Sequence, residues 1–172
     1  SDEQRAASKA AGSWERIKAE ERRDLDDDSV LAGIALALPA LKRAEKLGKR
    51  AASAGFDWPD EQGVRDKVRE EIGELAQAVG SGDTAHVEDE IGDLLFTAAN
   101  LARHLGCDPE HALARANAKF ERRFRAMETS VAAAGQSLEA MPSDALESAW
   151  QAAKRRVAQR ATEDRDETPG DS

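Results

Sequence analysis

A single cysteine, Cys107, stands alone in 172 residues. No intramolecular disulfide can form, and no cysteine metal site is available. Such a chain suits a reducing compartment, and a cytoplasmic location is expected. Tyrosine is absent and aromatics make up only 4% of the residues. β-branched residues are also sparse, while alanine is abundant, a balance that disfavours sheet and favours helix. The apolar runs are short and interrupted by charge, so neither a membrane span nor a signal peptide is expected. Basic charge is the minority sign: 25 Lys and Arg stand against 34 Asp and Glu, giving a net charge of −9. A nucleic-acid binder needs a basic face, so binding of DNA or RNA backbones is disfavoured as the main role.

What is present reads as helices joined by short breaks. The length suits one domain with its own core. Residues 1–12 and 161–172 are small, polar or charged, and read as disordered tails around a domain over 13–160. The chain opens SDEQRAASKAAG without an initiator Met, which suggests a fragment of a longer protein. A short charged helix is expected at Trp14–Arg23, then an acidic break over 24–29. Val30–Leu38 reads as helical or turn-like, followed by a helix from Pro39 to Ala54 that Gly55 stops. The loop Phe56–Gly63 carries Phe56 and Trp58, which are large enough to pack down on the helices. A helix over Val64–Val79 has Val68, Ile72, Leu75 and Val79 at helical spacing as its buried face. Asp83 or Thr84 caps the next, which ends near Leu105. Its buried positions are Val87, Ile91, Leu94, Leu95, Ala98, Leu101 and Leu105. Asp108 caps a long helix with Pro109 at its first position, ending at Gly135. A last helix starts after Ser143 and carries Leu146, Trp150, Ala153 and Val157. No segment alternates convincingly, so the fold class is all-α, a helical bundle that is expected to be dimeric.

The informative feature is a repeat. Glu71-Ile72-Gly73-Glu74 lies in one helix and Glu90-Ile91-Gly92-Asp93 in the next. Acids three residues apart share one side of a helix and repel each other. A glycine within a helix costs about 1 kcal/mol relative to alanine. The same two unfavourable choices in successive antiparallel helices point to a purpose. The glycines would allow close approach of helices or ligand, and the four carboxylates would meet across the interface. Converging carboxylates need a cation, and hard oxygen ligands favour Mg²⁺, Mn²⁺ or Ca²⁺ over zinc. Mg²⁺ shares its coordination with substrate phosphates, so the site reads as phosphoryl chemistry. The plainer reading is an acidic, solvated helix face.

Cations that would offset phosphate charge are Lys67, one turn before Glu71; Lys119 and Arg123, four residues apart on the long helix; and Lys154. Each is otherwise an ordinary surface cation. Asn100 either faces the site or is satisfied at a helix interface. Trp150 is either core or a base-stacking platform. His86, His104 and His111 form no pattern with the carboxylates. Cys107 lacks a histidine partner, and no P-loop, Ser-His-Asp pattern or dinucleotide motif is present.

KVREEIGELAQAV (67–79), EDEIGDLLFTAANLARHLG (88–106) and ANAKFERRFRAME (116–128), in that order, closely resemble the MazG family of nucleoside triphosphate pyrophosphohydrolases. LPALKRAEKLGKRAASAGFDW (38–58) and WERIKAEER (14–22) extend the likeness to most of the chain. The latter resembles the start of the carboxy-terminal catalytic domain of two-domain members, whose amino-terminal half is missing here. The resemblance implies the all-α NTP pyrophosphatase fold, a homodimer, and Mg²⁺-dependent cleavage of NTP to NMP and pyrophosphate. It implies metal binding by Glu71, Glu74, Glu90 and Asp93, and nucleotide contacts by Lys67, Glu70, Lys119, Arg123, Trp150 and Lys154. Glu70 or Glu74 would accept the proton from water. His86 replaces a lysine seen in another member and is doubtful as a ligand. The expected role is house-cleaning of the nucleotide pool with broad base tolerance. The alternative is a non-catalytic helical module that binds nucleotide or a partner and dimerises.

Overall fold

A computed structural model describes residues 29–166, with side chains described as far as Gln159. The helix expected at Trp14–Arg23, the acidic run after it, the tail over 1–12 and residues 167–172 lie outside the described residues. Among those described there are five α-helices, one 3₁₀ turn at Leu138–Ala140 and no strand. The helices are α1 (Ala40–Ser53), α2 (Glu61–Ser81), α3 (Thr84–His104), α4 (Pro109–Ala133) and α5 (Ser143–Asp166). The fold is all-α. No helix among the described residues is long and apolar enough to cross a membrane.

Side-chain caps set the boundaries. Asp60 accepts from the Gly63 amide and starts α2 three residues earlier than Val64, where the apolar spacing begins. Gly82, at φ +74°, ends α2 in the left-handed conformation that costs glycine least. Asp83 then accepts from the Ala85 and His86 amides to open α3. Asp108 does the same for Glu110 and His111 at the start of α4. Residues 30–38 form turns rather than a helix. α5 runs to Asp166, into the stretch where a tail was expected from 161, because extending a formed helix is far easier than nucleating one.

The chain divides into two compact units, Ser1–Ala112 and Leu113–Ser172. In the first, α3 packs against both α2 and α1. Its buried residues include Ile34, Ala44, Val64, Ala78, Thr97, Ala99 and Asn100. The α1–α3 contact depends on Gly48: a side-chain carbon there would overlap the Asn100 amide oxygen. Asn100 cannot give way easily, because its amide nitrogen donates to Phe96 O at 3.1 Å and its oxygen accepts from Arg103 Nε at 3.1 Å. The roughly 1 kcal/mol that alanine would gain as a helix former is outweighed by an overlap of this kind, at about 1–3 kcal/mol. In the second unit, Met127, Val131 and Ala153 form a small core, with Leu138, Met141, Leu146 and Trp150 packed on it.

The expected buried faces need correction. Ile72 and Val79 of α2 are 53% and 61% exposed, and Ile91 and Leu95 of α3 are 44% and 53% exposed. Ala98 and Leu105 are exposed as well. Both helices carry apolar residues on more than one stripe, and only the stripe nearest the neighbouring helix is covered. Val64, Glu71 and Ala78 take the inner face of α2. Phe56 is also exposed, whereas Trp58 is half-buried with its ring edge-on to His104 at 6.2 Å.

The loop between α1 and α2 is tied to the end of α3 by charge. Arg103 donates to both carboxylate oxygens of Asp57, at 2.9 and 2.6 Å, and His104 Nε2 lies 3.0 Å from Oδ1. The Arg103 hydrogen bonds hold the Asp57 carboxyl well below the usual range, with His104 adding to them against an opposing push from desolvation. A carboxyl lowered in the folded state contributes its full stability above the unfolded value of about 3.9 and loses it as pH falls toward the folded value. The Asp57 side chain stays 25% exposed, which keeps the expected loss on Asp57→Asn to about 1–2 kcal/mol at pH 7. Urea unfolding across pH should show parent and variant converging below about pH 4. Curves that run parallel down to acid would mean the pair does not contribute.

Candidate active site

The α2–α3 hairpin brings the acidic motifs of the sequence together. Carboxylate oxygens of Glu71, Glu90 and Asp93 all lie within 4.8 Å of one another. Glu71 is buried, Glu90 half-buried and Asp93 exposed, so the cluster opens from the helix interface to solvent. At an effective dielectric constant of about 20, like charges this far apart repel by about 3 kcal/mol per pair. Three hard oxygen donors at this separation, one side open to water and phosphate, fit a divalent cation of the Mg²⁺ type.

Lys67 supplies part of the missing positive charge. Its ammonium lies 2.9 Å from Glu70, 3.0 Å from Glu71 and 3.8 Å from Glu74. Hydrogen bonds to Glu70 first, then Glu71, raise its proton affinity well above the ordinary lysine value. Lys67 is the strongest single influence on Glu74 and pulls its pKa down. Desolvation and the carboxylates of Glu71, Glu90 and Glu70 together outweigh it, so the Glu74 carboxyl stands above its usual value. Glu74 therefore feels the cluster without being one of the three closest donors. Glu70 is mostly exposed and held by Lys67. His86 Nδ1 stands 3.7 Å from Glu90 Oε1, one turn along α3.

The hairpin corrects one expectation and decides between the two readings of Asn100. Gly73 and Gly92 meet nothing within 4 Å where a side chain would be, so they do not serve a close approach of α2 to α3. They face open space on the exposed sides of their helices; the glycine that does admit a close neighbour is Gly48. Asn100 is fully buried and bonded within α3, the helix-interface reading, and does not face the acids as a free donor.

The second unit holds the remaining expected residues. Lys119 is exposed on α4, and Lys154 is half-buried on α5. Arg123 is half-buried, with a buried Nε that has no hydrogen-bond partner. Trp150 is half-buried and packs on Phe120 with ring centroids 5.3 Å apart. Phe120 in turn stacks on Phe124 at 5.8 Å and 20°. Reading the sequence for charge passed over these two phenylalanines, although their four-residue spacing, continued by Met127, already placed them on one face. Cys107 is exposed and takes no part in either group.

Residues 60–127 match the model of the MazG nucleotide pyrophosphohydrolase domain. The chain is 47% identical over 151 residues to a nucleoside triphosphate pyrophosphohydrolase of Escherichia coli strain K12, covering 87% of this chain and 57% of that protein. It is 41% identical over 141 residues to the nucleoside triphosphate pyrophosphohydrolase/pyrophosphatase MazG of Thermotoga maritima, covering 82% of this chain and 54% of that protein. The chain thus spans little more than half the length of these curated relatives.

A cluster of this kind should respond to Mg²⁺ in a thermal melt. Millimolar Mg²⁺ is expected to raise Tm by mass action, since the ion binds the folded hairpin and not the unfolded chain. Asp93→Asn should abolish that rise while leaving the metal-free Tm equal or higher, because it removes one of three mutually repelling charges. An equal Mg²⁺ response in parent and variant would remove Asp93 from the site.

Proposed function

We propose that the chain is a member of the MazG family and a Mg²⁺-dependent hydrolase that cuts nucleoside triphosphates between the α and β phosphates, releasing NMP and pyrophosphate. The observation that carries this reading is the convergence of Glu71, Glu90 and Asp93 within 4.8 Å on two antiparallel helices. Glu74, whose carboxyl senses Glu71 and Glu90, completes the proposed ligand set. When bound, Mg²⁺ supplies neutralising charge for phosphate oxygens and lowers the pKa of water.

The protein's own groups do the rest. Lys67, already the counter-ion of the cluster, would offset phosphate charge beside a metal held by those acids. Lys119 and Arg123, one turn apart on α4, stabilise charge that develops on the leaving pyrophosphate. The unmatched Nε of Arg123 favours it as a phosphate donor. Lys154 is a further nucleotide contact. Glu70 or Glu74 would accept the proton from water, and Glu70, outside the proposed ligand set, is free of the metal for that role. The Trp150 face accepts any base, which suits a broad house-cleaning role.

We also propose a homodimer. Ile72, Ala76 and Val79 on α2, and Ile91, Leu95 and Ala98 on α3, follow the same i, i+4, i+7 spacing on the exposed sides of their helices. Gly73 and Gly92, open to space, flank these bands and leave room for a second copy. Apolar stripes of this kind mark interaction surfaces. Sedimentation at micromolar concentration should show a dimer that Ile91→Lys weakens; a monomer throughout would remove the proposal.

Incubation with an NTP panel and Mg²⁺ should yield NMP and pyrophosphate, and Glu71→Gln should lower turnover by roughly a hundredfold or more, the scale on which metal-site and charge-stabilising groups act. Orthophosphate with NDP as the products would overturn the assignment. Tight nucleotide binding without turnover would favour a non-catalytic binding module instead.

A further inference from the structure

The second unit carries a shallow cavity of 330 Å³, widely open to solvent, between one face of α4 and one face of α5. Phe120, Phe124 and Met127 line it from α4; Ser143, Glu147 and Trp150 line it from α5. Two features make this more than a gap in packing. Phe120 remains 55% exposed beside Trp150, so a platform of touching aromatic rings is left facing solvent. Phe120, Phe124 and Met127 follow one another at four- and three-residue spacing, so their side chains share one face of α4 and form one wall of the cavity. A platform of adjoining rings open to solvent suits the flat face of a nucleobase.

The cavity holds one charged group, Glu147. Gln151 donates to its Oε1 at 2.5 Å, and Oε2 has no hydrogen bond among the described residues. An ionised carboxylate only accepts hydrogen bonds. It repels the phosphates, so a bound nucleotide turns its base edge, not its triphosphate, toward Glu147. The base edges that suit it are those presenting N–H donors: the exocyclic amines of adenine and cytosine, and the adjacent N1–H and N2–H₂ of guanine. Uracil offers one N–H flanked by two carbonyl oxygens, which a carboxylate repels.

We propose that Glu147 reads the base edge and makes the site prefer nucleotides whose base carries an amino group. This rests on the nucleoside triphosphate reading above and sharpens it: stacking on Trp150 and Phe120 admits every base, and Glu147 ranks them. Glu147 is exposed, so its substitution should not disturb folding.

The test measures kcat/KM for ATP, GTP, CTP and UTP in the parent, Glu147→Ala and Glu147→Gln, with equilibrium dialysis of AMP and UMP run alongside. The parent should favour the amino nucleotides over UTP by roughly tenfold, the scale of one solvent-accessible hydrogen bond to a charged group, mainly through KM. Both variants should bring the four substrates together while largely keeping kcat, with Glu147→Gln improving UTP, because its amide can donate to a uracil carbonyl. A parent without preference, or a preference that survives both substitutions, overturns the proposal. A parent that turns over no nucleotide overturns the hydrolase reading instead; AMP binding over UMP, lost in Glu147→Ala, would still support the base-edge role, and equal binding would remove it.

Discussion

Crowding of negative charge between α2 and α3 is the constraint on which the proposed chemistry depends. Three carboxylate oxygens share a space less than 5 Å across, at the boundary between a helix interface and water. The folded chain tolerates this because Lys67 leans into the cluster from one turn away and because the opening to solvent screens Asp93. The arrangement is electrostatically under-compensated, which is the physical basis of the proposed affinity for a divalent cation and, through it, for a polyphosphate. Glu71 matters most to this balance. It occupies an inner position of α2 where a hydrophobic residue would ordinarily sit, and its carboxylate is paired with Lys67.

The rest of the first unit keeps the hairpin rigid. Gly48 lets α1 lie close against the Asn100 side of α3, and Asn100 is locked by bonds to Phe96 and Arg103. Arg103 then reaches on to Asp57, so one chain of hydrogen bonds links the α1–α2 loop, the end of α3 and the α1 contact. A site that must hold several carboxylates to fractions of an ångström is best built on helices braced in this way. The outer faces of the same helices carry apolar residues that the described residues leave exposed, the surface proposed above for a second copy.

The second unit works by different physics. Its small core of Met127, Val131 and Ala153 supports a surface on which Phe120, Phe124 and Trp150 bring their rings together. Stacking is indifferent to base identity, and charge is indifferent to everything but phosphate. Discrimination has to come from a directional group, and Glu147 is the one charged side chain lining that cavity.

Much of the fold was legible in the linear sequence. Asp83, Asp108 and the turn glycines act over three or four residues, so helix starts and stops could be read from local chemistry. The repeat of acid, isoleucine, glycine and acid identified the carboxylates that meet, because residues three apart must share a helix face. Which apolar stripe is covered could not be read that way. Ile72, Val79, Ile91 and Leu95 have the spacing of core residues yet lie open, while Glu71 is buried, because burial is decided by where the neighbouring helix falls. The same limit explains the glycines. Gly73 and Gly92 stood out by repetition but touch nothing, and Gly48, unremarked in its helix, carries the close contact. Spacing along one chain fixes the angle of a side chain about its own helix; only packing fixes what stands opposite.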